Sequence, residues 1–419
     1  MLAAISQSLV REVIVTTTRW RLIFVTLAVI GRGAVPAIAQ WVLEPPGAHQ
    51  PIALKVPRVV PVPEGQWTDV QKQLVAKYAP NGRADNALKT LLNLPELVDA
   101  VMPYTNYLLN ESSLSPRHRA MLVLRAAWLL GSQPLWATQA KAARDAGISS
   151  AELRRIAQGP DASGWEPFDA TLLRLADQLF RNSSVTDSTW QSLSLRYDMN
   201  NLMDAVETVN HFIVLSMMYN TLGVQPDADL TDRLPTDVTY LIKVPAREPA
   251  LTVARVEPNP GRGIAVSRTF AKYQKLNQRW SPRQNFILRT SRLSPHQREM
   301  LILRMGWNCR SEYEWAKHVG SVGRARDQGL DPAKIAEGGS ASVWDPLDRA
   351  LLHASDELYR DGIVSDATWQ ALSEKLDTGS IMSAIFTTAD YRAISLSLNT
   401  YGVQLDEPGD ERLPQIPNR

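Results

Sequence analysis

Apolar residues recur along this chain with helical rather than strand spacing. Leu172, Leu173, Leu175, Ala176 and Leu179 fall on one helix face, and Leu351, Leu352, Ser355 and Leu358 repeat the pattern. Met300, Leu301, Leu303, Met305 and Trp307 make a broader apolar run, which predicts a helix buried in a core. The punctuation agrees. Ser115-Pro116 and Ser294-Pro295 each set a capping serine before a proline suited to the first helical position. Val185-Thr186-Asp187 and Val364-Ser365-Asp366 supply N-caps for helices carrying Trp190 and Trp369. Sustained period-two alternation between glycine turns is missing, so the expected fold is all-α.

Those helical segments come in pairs. Leu114-Ser115-Pro116 returns as Leu293-Ser294-Pro295, an offset of 179 residues, and Leu124-Arg125 returns as Leu303-Arg304. Trp128, Trp165 and Trp190 return as Trp307, Trp344 and Trp369, and Asn220-Thr221 returns as Asn399-Thr400. From Gly159 to Gln225 against Gly338 to Gln404, 28 of 67 positions are identical without a gap; only the stretch after the central helix needs three-residue adjustments. A period this long marks a duplicated domain rather than a solenoid. The expected layout is a first copy over 56–235, a proline-rich linker over 236–262 and a second copy over 263–414.

Composition narrows the chemistry. The 419 residues carry a formal net charge of +2, which gives no electrostatic case for nucleic acid. Cys309 is the single cysteine, so neither a disulfide framework nor a thiolate zinc site can be built, and the six histidines show no HxH or HExxH spacing. Near the N-terminus, Arg11, Arg19 and Arg21 precede an apolar run from Leu22 to Ile30 and then Ala37-Ile38-Ala39. That is the layout of a secretory signal over residues 1–39, so a periplasmic or secreted protein without stable membrane insertion is expected. Removing it takes four arginines and Glu12, leaving a charge of −1. The basic balance belongs to the signal and not to a binding surface.

The string from Leu293-Ser294-Pro295 through Arg298-Glu299 and Leu303-Arg304, then Trp307, Cys309, Glu312-Tyr313-Glu314-Trp315 and His318, resembles the carboxymuconolactone decarboxylase-like family, which includes the alkylhydroperoxidase-D-like enzymes. Trp344, Pro346, Asp348, Leu351-Leu352 and Asp356-Glu357-Leu358 extend the likeness, which covers both copies over roughly 56–414. The resemblance implies two tandem alkylhydroperoxidase-D-like helical domains, no metal or organic cofactor, and proton transfer or decarboxylation on a small organic acid or lactone. The peroxidase branch carries Glu-x11-Cys-x2-Cys-x3-His, which falls here on Glu299, Ser311, Glu314 and His318. The glutamate and histidine match, and neither cysteine does. Single-domain relatives form trimers or hexamers. A covalent pair is therefore expected to pack with approximate two-fold symmetry and to form a homo-oligomer, with three chains able to imitate a six-unit ring.

His318 is then the expected acid/base, Glu314 its orienting carboxylate and Glu299 a second carboxylate. Glu314 and His318 stand four apart and share a helix face. The blander readings are a surface ion pair, a Ser311/Glu314 capping box and, for Glu299, a first-turn glutamate favoured by the helix dipole. Cys309 is the residue for a peroxidase alternative, although Leu130 at the matching position favours a core role. A third reading is a non-catalytic binding protein on an enzyme scaffold. The first copy holds Ala120, Ser132, Leu135 and Gln139 at the corresponding positions, so it is expected to be a scaffold. Replacing His318 by that copy's glutamine is expected to remove activity while barely moving the melting temperature. Arg125, Arg304 and the paired tryptophans are expected to brace the fold, and His211 to be a buried or interface histidine.

Overall fold

The computed structural model describes residues 54–79, 81–238 and 244–414. The export signal expected over residues 1–39 lies outside them. The described residues form α-helices with a few short 3-10 and π segments, joined by turns and, between the two copies, by a long irregular connector, with no strand element among them. The first copy holds α1 (Asp69–Tyr78), α2 (Asn86–Leu91), α3 (Pro95–Asn110), α4 (Pro116–Leu129), α5 (Gln133–Asp145), α6 (Ser150–Gln158), α7 (Pro167–Asn182), α8 (Asp187–Ser194) and α9 (Met199–Leu222). The second holds α10 (Ala265–Phe270), α11 (Gln274–Asn285), α12 (Pro295–Asn308), α13 (Glu312–Val319), α14 (Pro332–Glu337), α15 (Pro346–Asp361), α16 (Asp366–Ser373) and α17 (Thr378–Tyr401). From α2 onward the helices pair in order, and α4, α7, α8 and α9 recur as α12, α15, α16 and α17 at the 179-residue offset. Helix α1 has no counterpart, because the matching residues 248–257 form no helix.

The caps follow the sequence signals. Ser115 and Ser294 accept hydrogen bonds from the amides of His118 and Gln297, and Thr186 and Ser365 cap α8 and α16 in the same way. Arg125 and Arg304 are structural. Each makes a two-pronged ion pair, with Asp177 (2.7 and 3.0 Å) and with Asp356 (2.6 and 2.9 Å). Each also donates to two carbonyls of the helix below, Ile156 and Ala157 or Ile335 and Ala336. A buried guanidinium is tolerable when its donors are matched in this way.

All described residues belong to one compact unit. Its centre is the contact of α9 with α17, two 24-residue helices buried along almost their whole length. The contacts across them are reciprocal. Asn220 donates to the carbonyls of Leu130 (2.9 Å) and Gly362 (3.4 Å), and Asn399 donates to those of Cys309 and Ser183 (both 3.0 Å). Arg58 reaches the Val364 carbonyl (2.7 Å) and Asp366 (2.5 Å) of the second copy. Arg255 reaches the Val185 carbonyl (2.8 Å) and Asp187 (2.5 Å) of the first. A contact set that maps onto itself when the copies are exchanged is the signature of a two-fold interface. The repeated asparagine is thus an inter-copy clasp.

Candidate functional site

The site begins with a turn. Helix α12 closes with the amide of Ser311 on the Gly306 carbonyl (2.9 Å) and that of Arg310 on Trp307 (3.0 Å). This Schellman closure needs a left-handed residue. The first copy uses Gly131 (φ 59°), whereas the second forces Arg310 into that region (φ 52°), a conformation that costs about 1 kcal/mol or more in a residue with a Cβ. The turn folds α13 back along α12. Lys317 then ties α13 to the C-terminal segment through Asp406 (3.0 Å) and Asp410 (2.8 Å).

That packing brings Glu299, Glu314 and His318 together. Glu299 Oε2 meets His318 Nδ1 at 2.6 Å, and Glu314 Oε1 meets Nε2 at 2.9 Å. All three residues are at most 5% exposed. The surface-pair reading of Glu314 and His318 therefore fails, since exposed pairs leave their charges to water. The capping-box reading fails too. Ser311 precedes α13 but makes no side-chain cap, its buried hydroxyl has no partner among the described residues, and Glu314 is engaged by the imidazole. Glu299 is no dipole ornament either, because it lies at the centre of the cluster.

With a carboxylate on each ring nitrogen, both nitrogens act as donors and the ring is an imidazolium. Burial alone pushes such a cation toward neutrality. Here Glu299 and Glu314 overturn that and raise the His318 pKa to about 10. Burial likewise pushes Glu299 upward, but His318 and Arg298 outweigh it and hold the carboxyl below its ordinary range. Arg298 Nε donates to the second Glu299 oxygen at 3.0 Å, so two carboxylates face two cations. The edge of Tyr391 meets the imidazole ring at a centroid distance of 5.2 Å and 88°. His318 is thus held in its charged form at neutral pH by the two carboxylates on its ring nitrogens.

Three members escape a reading from spacing. Arg298 and Tyr391 correspond to Arg119 and Phe212, and neither stands out until the site is assembled. Gly323 is the third. A Cβ there would fall 2.1 Å from Glu299 Oε2 and 2.5 Å from the His318 carbonyl, so the carboxylate fits only against glycine. A signal for it exists. Gly320 and Gly323 lie in the stretch where the copies need gaps, and α13 stops after eight residues where α5 runs for thirteen.

Cys309 caps the C-terminus of α12 and is fully buried, with its sulfur 3.7 Å from Met305 Sδ. Burial raises its thiol pKa against the opposing pull of Arg392 and Arg247. This is the setting of a small core residue and not of a reactive thiolate. His211 is buried as well, with Nε2 2.8 Å from the Thr105 hydroxyl, and burial drives its pKa well below 6.5. A cavity of about 520 Å³ opens beside Glu312 and Tyr313, with Arg247 and Arg310 on its wall, but Glu299, Glu314 and His318 do not line it.

The architecture so far defines a class: an all-helical, duplicated protein with a buried Glu–His–Glu cluster in one half. Residues 95–178, within the first copy, match the model of the Carboxymuconolactone decarboxylase family. The first copy is thus similar to this family over that segment, and the second copy is similar to it by internal repetition. A solved structure described as the alkylhydroperoxidase AhpD core, an uncharacterized peroxidase-related protein from Ralstonia eutropha JMP134, aligns with 43% of this chain and 96% of its own. That alignment has 17% sequence identity and a TM-score of 0.35. Comparison with curated proteins finds no match.

Proposed function

We propose that the second copy is an acid/base site acting on a small organic acid or lactone, with decarboxylation or isomerisation as the reaction. One observation carries this reading. The same scaffold is built in the first copy with Ala120, Leu135 and Gln139, so folding does not require charges at these positions. Burying an imidazolium between two carboxylates is costly, and apolar replacements of such clusters are often neutral or stabilising. A group that the fold can do without is best explained by chemistry.

In this reading Glu299, anchored by Arg298, holds the ring through Nδ1 and keeps it charged. Nε2–H is the proton to be delivered, and Glu314 is the carboxylate that gives way to substrate. For a decarboxylation, the bond from carbon to the carboxylate breaks, carbon dioxide departs, and the electron pair left behind takes the Nε2 proton. Glu314 supports recharging of the ring from solvent. The exposed turn over Gly320–Val322 leads to Gly323 against Glu299, and its movement is the proposed route of entry.

Release of carbon dioxide from a panel of carboxylated lactones and small unsaturated acids tests the reading. Glu314→Gln and His318→Gln should each lower turnover about 10²–10⁴-fold. Turnover untouched by both would overturn it, as would hydroperoxide consumption abolished by Cys309→Ser. The residue pattern before Gln40 also leads us to propose export, which sequencing the N-terminus of the protein from its native host would test.

A further inference from the structure

The first copy has kept a hollow on the face that mirrors the charged cluster. It measures about 170 Å³ and lies among α2, α3, α5 and α9. Leu91, Met102, Leu135 and Phe212 supply apolar wall, and Asn106, Gln139 and Tyr219 bring polar groups to it. Leu135, Gln139 and Phe212 occupy the positions of Glu314, His318 and Tyr391. The side chains of Asn106, Gln139 and Tyr219 make no hydrogen bond to another described residue. The charged residues on the wall are Asp85 and Asp227, both acids and both accepting backbone amides at the start of α2. No lysine or arginine lines the cavity, and His211, just behind Thr105, is held neutral by burial.

We propose that the first copy is a binding site for a small neutral molecule: one aromatic ring carrying a hydroxyl or amide group. The size follows from comparison, since an apolar cavity of about 150 Å³ accommodates benzene. The unpartnered amides and phenol supply orientation, as a few convergent polar groups do in ligand pockets. An organic anion is rejected, because it would lose its water beside two acids with no cation to receive it. The two copies would then differ in ligand charge, and this site stands whether or not the second copy is catalytic.

Phenol and benzoate, titrated separately into the full-length protein and followed by calorimetry or ligand-observed NMR, test the proposal. Phenol should saturate with a dissociation constant of the order of 0.1–1 mM, and benzoate should bind at least about tenfold more weakly. Leu135→Phe fills the cavity and should weaken phenol about tenfold. Gln139→Lys, at a half-buried position, should instead raise benzoate affinity about tenfold, a gain that a folding defect cannot imitate. The proposal is overturned if phenol shows no saturation up to roughly 10 mM. Equal binding of benzoate and phenol by the unsubstituted protein, or indifference of both ligands to both cavity substitutions, overturns it as well.

Discussion

Helices α5 and α13 start at matching positions and follow the same kind of turn, yet they are built for different ends. In α5, Leu135 and Gln139 face a hollow. In α13, Glu314 and His318 close on Glu299 in a nearly dry ion cluster. What surrounds them hardly differs: the Arg125 and Arg304 braces, the tryptophans hydrogen-bonded to Gly159 and Gly338, and the Asn220 and Asn399 clasps all recur. The residues that brace the fold and those that form the charged cluster are thus separate sets, and the two copies share the first set while differing in the second.

The largest effects are expected where residues of the second copy are replaced by those of the first. His318→Gln should cost turnover about 10²–10⁴-fold. It should also destabilise the fold by about 3–5 kcal/mol, because two carboxylates are left buried without their cation. Spacing alone predicts a thermally silent substitution, and the burial of the cluster reverses that expectation. The triple change Glu299→Ala, Glu314→Leu and His318→Gln removes all three charges. It should therefore be more stable than the single variant while remaining inactive. Calorimetric melting temperatures in which the triple variant is the weaker of the two would show that the scaffold does depend on the charges.

The same cluster predicts a pH dependence with a definite sign. The folded-state pKa of His318 lies above its ordinary value of 6.5, at about 10. Its stabilisation is therefore complete below about pH 6.5 and lost as the pH climbs through about 10. Melting temperature should decline over that window, and the triple variant should lack this part of the decline. Next in size is Gly323→Ala, which places a Cβ against Glu299 and should cost about 1–3 kcal/mol by overpacking. Gly409→Ala, where the added atom meets nothing, is the matched control. The smallest effect should come from the arginines that reach across the two copies: Arg58→Met and Arg255→Met should each cost about 1 kcal/mol. Clearly unequal costs would mean that the two halves do not share the interface evenly.

Much of this was legible from the chain. The helices, their serine and threonine caps, the 179-residue repeat and the bracing role of Arg125 and Arg304 all follow from local pattern and internal comparison. Glu299, Glu314 and His318 were also in view, because the first copy had lost all three together. Their protonation was not. Whether an imidazole is a base or an imidazolium depends on where a carboxylate from a separate helix arrives, and that is a fact of packing. Gly323 and Arg298 were hidden for the same reason, and the cavity behind Leu135 was hidden because an absence of atoms leaves no mark in a sequence. How thoroughly α9 and α17 are buried against each other is likewise a fact of packing that spacing does not give.

That central pair has a consequence for how the molecule comes apart. Each long helix completes its burial only against the other half, so neither half has a finished interior of its own. Heating should therefore give a single calorimetric transition whose van't Hoff enthalpy equals its total heat. A chain cut within the connector should hold together as a non-covalent complex and fail as isolated fragments. The half without the charged cluster is in this sense the missing wall of the half that carries it.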